Sequence, residues 1–260
     1  MRAMILAAGY GTRLGELTEE TPKPLLPLQG RPLIEYLISN LTRHGFDEIA
    51  VNLHFMPAKV RAFLGDGSQW NVRIEYSQEP ELLGTAGGLK KMEYFFEEEG
   101  AFLVHYGDIL TDQNLTAMLD FHCQRQALVT MLVHQRTGSN SVVEMDDQQR
   151  VVGFWERPDD HTRRALNSSW VNSAVCICDS TVLDLIPAGS VCDLPRDVFP
   201  QLLDSGRMFG FPLTGYRCAI DSRQRYTEAQ VAISEGRCRV ETMRHDSAGI
   251  PASVKHHSSG

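Results

Sequence analysis

No stretch of this 260-residue chain approaches the ~20 consecutive apolar residues that a membrane-spanning helix needs. The opening, MRAMILAAGYG, carries an apolar run only a strand long, so it reads as a buried first strand rather than a signal peptide. Basic charge is scarce as well: 25 Lys and Arg against 33 Asp and Glu leave a formal net charge of −8, which argues against a general nucleic-acid binder. The six cysteines form no C-x-x-C pair. That pattern speaks against zinc and for reduced core thiols in a cytoplasm, with Cys176 and Cys178 on one face of a strand. Two phosphate-loop strings are also missing. There is no G-x-x-x-x-G-K-S/T. The dinucleotide fingerprint G-x-G-x-x-G fails because Gly15 falls one position late and Pro22 and Pro24 interrupt any helix behind it.

What is present is ordinary globular composition, 42% hydrophobic and 22% charged, enough for one large domain or two small ones. An acidic protein that holds an anion must concentrate cations locally, and the stretch from Met4 to Pro32 does so. A short apolar strand, Ala3 to Ala7, opens into Gly9-Tyr10-Gly11-Thr12-Arg13, and a turn follows at Pro22-Lys23-Pro24. Glycines let backbone N–H groups approach an anion, and Arg13 and Lys23 add fixed positive charge, so a guest with several phosphates fits. The same glycines also suit a plain tight turn.

Pro32 falls where a helix begins, at its first residue, and Leu33, Ile34, Leu37, Ile38 and Leu41 repeat at helical spacing up to Gly45. Strands at Glu48–Leu53 and Val72–Tyr76 flank a short helix at Ala58–Leu64. This β-α-β-α-β order predicts an α/β sheet covered by helices on both faces. Thr85 is placed to cap a helix carrying Leu89, Met92, Phe95 and Phe96. The continuous apolar strand Ala101–Tyr106 ends in Gly107-Asp108, where ligands of open α/β sheets bind. A carboxylate there suits Mg²⁺, and equally a turn or helix cap. His105 reads as core. Further on, a helix at Asn114–Gln124 and strands at Leu128–Val133, Ser141–Met145, Val151–Trp155, Trp170–Cys178 and Met208–Leu213 are expected, with a closing helix at Arg223–Glu235. From Arg237 the chain is polar and reads as a loose tail, whose His256-His257 pair makes no metal site.

The strings AAGYGTRL and TPKPLLPLQGRPLIEY, followed in order by LGTAG, strand-Gly-Asp and FWERP, resemble the sugar-1-phosphate nucleotidylyltransferase family from Met1 to about Gly236. The resemblance implies a Rossmann-like, mostly parallel sheet with a smaller sugar-binding β portion in the second half, a single catalytic domain over 1–236, and an enzyme. Leu194–Leu203, containing DVFPQLL, resembles a helix of the family. With no long repeating C-terminal segment in this sequence, the acyltransferase β-helix domain of some relatives is not expected. By resemblance, Ala8, Gly9, Gly11, Thr12, Gly84, Thr85 and Gly87 bind the nucleotide, Gln78 and Glu79 lie near the base, and Arg13 and Lys23 are catalytic. Asp108 and Asp221 hold Mg²⁺, and Glu156, Arg157 and Asn172 hold the sugar phosphate.

Three segments depart from the family pattern. Arg157 stands for the lysine of F-x-E-K-P, and a planar guanidinium differs from an ammonium point charge. Asn172-Ser173-Ala174 stands for Asn-Ala-Gly. Asp221 keeps an acid in GYRCAIDS, where the pattern is closer to G-Y-W-x-D-I-G-T.

The implied reaction joins an NTP and a sugar 1-phosphate, with GTP and mannose 1-phosphate or a heptose 1-phosphate as the pairing the motifs favour. Uridylyl, thymidylyl and cytidylyl transfer, the last to a small phosphate such as phosphocholine, remain alternatives. So does a non-catalytic nucleotide-sugar-binding regulator; a dinucleotide oxidoreductase disagrees with the glycine spacing. Neither nucleic acid nor membrane is an expected partner, and the resemblance allows a homo-oligomer.

Overall fold

Strand β1, Arg2–Leu6, sends Ala3 and Ile5 into one apolar cluster and Met4 into another, because successive side chains of a strand point to opposite faces. Both faces are covered, which is why the strand reads as a continuous apolar run. The computed structural model describes residues 1–97 and 99–239. After β1, a 3₁₀ segment at Thr12–Thr18 leads to the two-residue strands β2, Pro27–Leu28, and β3, Arg31–Pro32. Then come α1 Leu33–Arg43, β4 Glu48–Leu53, α2 Pro57–Leu64, β5 Arg73–Gln78, α3 Gly84–Lys91, α4 Glu93–Phe96, β6 Ala101–Tyr106 and β7 Ile109–Thr111. The second half adds α5 Leu115–Arg125, β8 Val129–Gln135, β9 Ser141–Met145, β10 Val151–Glu156, α6 Asp160–Ala165, β11 Trp170–Asp179, α7 Phe199–Leu202, β12 Met208–Pro212, β13 Arg217–Ala219 and α8 Arg223–Ser234.

The main sheet runs β5-β4-β1-β6-β11-β8-β12, with the β9–β10 hairpin joined to the start of β11. β5, β4, β1 and β6 are parallel. β11 runs against β6 and β8, and β12 is parallel to β8. This is the mixed, mostly parallel α/β sheet expected. β7 and β13 form a separate antiparallel ladder in which Arg217 faces Thr111 and Ala219 faces Ile109. No helix among the described residues is long and apolar enough to cross a membrane.

Several local expectations shift for physical reasons. Pro32 caps α1 from outside, with φ −58° and ψ 143°, instead of opening it. Thr85 lies inside α3, and its hydroxyl is spent on a distant loop rather than on a cap. The apolar run behind it breaks at Met92 into α3 and α4. Leu194–Leu203 is no continuous helix but a π-helical turn at Leu194–Val198 running into α7 and a 3₁₀ turn. Arg237–Arg239, expected to be loose, packs back: Cys238 is buried and the Arg239 amide donates to Asp112 Oδ2 at 2.6 Å. The rest of the expected tail, His256-His257 included, lies outside the described residues. All six cysteines are free, and the thiols of Cys176 and Cys178 meet on one face at 3.7 Å.

Candidate active site

The carboxyl ends of β1, β4 and β6 open onto a cavity of about 250 Å³. Its floor is the turn that follows β1. Gly11 sits at φ +71°, and a Cβ there would fall 3.1 Å from Thr18 Cγ2, so this position requires glycine. Thr18 braces the loop by donating to the carbonyls of Gly11 and Gly15, both at 3.1 Å. Ala8, Gly9 and Gly11 line the cavity; Thr12 and Arg13 do not. Lys23, held between Pro22 and Pro24, reaches across to Asp108 Oδ2 at 2.7 Å. Both side chains are mostly buried, at 13% and 26% exposure, so the pair is sheltered but open to a ligand.

A buried relay ties this floor to the opposite wall. The Ala7 amide donates to Asn52 Oδ1 at 2.7 Å, and Asn52 Nδ2 donates to Glu79 Oε1 at 2.8 Å. The Leu83 amide donates to Glu79 Oε2 at 3.0 Å. Asn52 and Glu79 also line the cavity, with Leu82, Gly84, Thr85 and Tyr106. Asn52 was not singled out from the sequence. Its signal was present: a lone amide at the ligand-facing end of EIAVNL.

Gly84 and Gly87 serve the wall differently. A Cβ on Gly84 would come within 2.5 Å of Cys192 O, and one on Gly87 within 2.4 Å of Ser190 O, so both glycines let α3 dock on the 190–194 segment. The amides of Ala86 and Gly87 are spent on Cys192 O at 2.9 and 3.0 Å, and Thr85 Oγ1 bonds Asp193 and Leu194. The start of α3 therefore offers a shaped wall rather than free donors for phosphate. Gly87 faces away from the cavity that Gly84 and Thr85 line.

Tyr106 also lines a second cavity, of about 320 Å³, so the two share it as a wall. Here the structure gathers Arg13, Glu156, Asn172 and Asp221, with His134, Arg136, Arg217 and Arg225, which the sequence reading had not marked. Burial pushes the Glu156 carboxyl up, with Arg157 opposing. Asn172 Oδ1 accepts from the Ala174 amide at 2.9 Å and so braces a bulge of β11 where Ala174 sits at φ +62°. Arg157 is turned outward: its side chain is 78% exposed, it does not line the cavity, and its backbone stands at φ +52°. His105 is core, as expected, and burial lowers its pKa to about 4.

Asp108 and Asp221 lie on different walls. Asp221 sits between two guanidiniums, 3.7 Å from Arg13 and 3.8 Å from Arg225. Counting from Gly215, the acid of G-Y-W-x-D falls on Ala219, and it is Ala219 that the β7–β13 ladder brings opposite Ile109, the neighbour of Asp108. Among the described residues no three His, Cys, Asp or Glu side chains gather as a metal cage. Asp108 fits Mg²⁺ all the same, since that ion takes one or two carboxylates and completes its shell with water and phosphate oxygens.

A glycine-bearing turn behind β1, a Lys–Asp pair at the sheet's carboxyl edge and a second polar cavity beside it place the candidate site where open α/β sheets bind ligands. The nucleotidyl transferase family model matches residues 2–217, and the chain belongs to that family. The match stops at Arg217, just before the segment that carries Ala219 and Asp221. The chain is 36% identical over 225 residues to a UTP–glucose-1-phosphate uridylyltransferase of Synechocystis, covering 80% of this chain and 57% of that protein. It is 33% identical to a mannose-1-phosphate guanylyltransferase of Mycobacterium tuberculosis, covering 82% and 59%. It thus spans under three-fifths of the length of these two relatives. An N-acetylmuramate α-1-phosphate uridylyltransferase of Neisseria meningitidis is 35% identical, covering 88% of this chain and 97% of that protein. A solved putative glucose-1-phosphate thymidylyltransferase from Bacillus anthracis shares the fold, with TM-score 0.78 at 20% identity, covering 89% of this chain and 94% of that one.

Proposed function

We propose that this chain transfers a nucleotidyl group from an NTP to a sugar 1-phosphate, forming a nucleotide sugar and releasing pyrophosphate. The observation that carries the reading is the pair of cavities that share Tyr106 as a wall, one holding Lys23 and Asp108 and the other Glu156 and Asn172. An oxygen of the acceptor phosphate attacks the α-phosphorus, the bond to the bridging oxygen of the β-phosphate breaks, and pyrophosphate leaves. The attacking oxygen is already ionised at neutral pH, so no general base is needed. Catalysis then rests on positioning and on stabilising charge.

Gly9 and Gly11 receive the triphosphate, and Lys23 stabilises charge on the α-phosphoryl group. Arg13, in the wall of the second cavity, meets the phosphates from the acceptor side. Bound Mg²⁺ neutralises phosphate charge. Asp108 is its ligand in this reading, with Asp221 a second candidate. Asp108→Asn is expected to move the Mg²⁺ titration of activity to higher concentration, and Asp221→Asn to move it less. Unchanged curves for both variants sink the metal assignment.

GTP with mannose 1-phosphate or a heptose 1-phosphate is the pairing read from GYGTRL and LGTAG. UTP with N-acetylmuramate 1-phosphate is the second reading, favoured by the Neisseria relative matched over nearly its full length. Pyrophosphate release with Mg²⁺, crossing GTP, UTP, dTTP, CTP and ATP against sugar 1-phosphates and phosphocholine, decides between them. Release that needs one NTP and one acceptor together supports the transferase. Nucleotide binding by calorimetry with no release from any pair removes it in favour of a binding protein.

A further inference from the structure

We infer that Arg217, and not Arg157, is the guanidinium that receives the acceptor's phosphate. The inference rests on the transferase reading above. Arg157 occupies the expected place in sequence, but its side chain lies in solvent and outside the cavity. Arg217 lies inside it. On the short strand β13, positions 217 and 219 both line the cavity while Cys218 is buried on the other side, as alternation requires. Ala219 supplies no acid to offset its neighbour.

The guanidinium is under-used. Its Nε is buried with no hydrogen-bond partner among the described residues, and Nη2 makes one long contact, 3.4 Å, to the Ser173 carbonyl. No carboxylate among the described residues lies within ion-pair distance of it. Three other cations near Tyr106 are engaged: Lys23 with Asp108, and Arg13 and Arg225 with Asp221. A buried guanidinium N–H left unpaired is costly unless a ligand takes it up, and a guanidinium matches a phosphate in two parallel hydrogen bonds. Burial lowers the Arg217 pKa to about 10, with the Asp108 charge opposing, so it stays cationic at neutral pH. With Arg136 at the rim, two cations without an acid partner face a phosphate dianion.

The test compares Arg217→Leu, Arg217→Lys and Arg157→Ala with the wild type in pyrophosphate release. Two pairs are run: GTP with mannose 1-phosphate, and UTP with N-acetylmuramate 1-phosphate. Arg217→Leu should raise the acceptor KM by about 10- to 100-fold while the KM for the NTP stays within about threefold. Arg217→Lys should fall between, and Arg157→Ala should stay within about threefold of wild type. NTP binding by calorimetry, unchanged in Arg217→Leu, separates this from misfolding. An acceptor KM that moves with Arg157→Ala and not with Arg217→Leu overturns the inference and leaves the transferase standing. A loss in Arg217→Leu that falls equally on both substrates also overturns it. A wild type that turns over neither these pairs nor any other NTP and sugar 1-phosphate removes the transferase reading, and the inference with it.

Discussion

The two cavities are built on different plans. The first is assembled from short contiguous strings, each braced by its own neighbours: the Gly11 turn by Thr18, Lys23 by its flanking prolines and Asp108, the far wall by the Asn52–Glu79 relay. The second draws one or two residues each from β10, β11, β13 and the 3₁₀ segment after β1, and a longer stretch between β8 and β9, with a guanidinium in its wall whose Nε has no partner among the described residues. A triphosphate has the same shape whatever base it carries, so its cradle can be fixed locally. In the proposed transferase the acceptor differs from one enzyme to the next, and a cavity gathered from several distant elements is open to change one residue at a time.

The largest expected effect lies at the centre of the first cavity. Lys23→Ala should lower kcat by about 10²–10³, roughly 3–4 kcal/mol of transition-state stabilisation by analogy with a lost oxyanion donor. The KM values should move little. A variant with near-normal turnover takes Lys23 out of the mechanism. Asn52→Leu comes next. It leaves the Ala7 amide and a Glu79 oxygen without partners in a buried place, which should lower unfolding stability by about 1–3 kcal/mol in a denaturant titration. The KM for the NTP should rise several-fold while the acceptor KM holds. Equal movement of both KM values breaks the division into two independent cavities.

This division also explains what the sequence disclosed. The main-sheet strands, the Gly9–Gly11 turn and the Lys23 and Asp108 positions were legible because each depends on apolar runs, glycine and proline chemistry at short range. Asn52 showed only as a lone amide in EIAVNL, because its role exists only once β4 lies beside β1. Thr85 looked like a helix cap for the same reason: nothing local reveals that Asp193 and Leu194 will claim its hydroxyl. Of the three residues expected to hold the sugar phosphate, Glu156 and Asn172 line the second cavity and Arg157 does not. Its backbone turns through φ +52° and carries the side chain away, a conformation unusual for a residue with a Cβ and unmarked by any glycine. Arg217 went unread because the β7–β13 ladder that aims it is three residues long.

The smallest effect tests whether the second cavity carries strain. Ala174 stands at φ +62° in the β11 bulge, where the resembling family pattern has glycine. An L-residue in that region costs about 1–2 kcal/mol, and glycine gives back about 0.5–1 through the greater freedom of its unfolded chain. Ala174→Gly should therefore stabilise the protein by about 0.5 kcal/mol, or roughly 1–2 °C in Tm for a chain of this size. The donor KM should stay fixed and the acceptor KM should shift by less than about threefold, since only a methyl group leaves the wall. A loss of more than about 1 kcal/mol means that the Ala174 methyl packs for more than its backbone strain costs. In that case the alanine is part of the wall's shape, and the narrower cavity is selected for its acceptor.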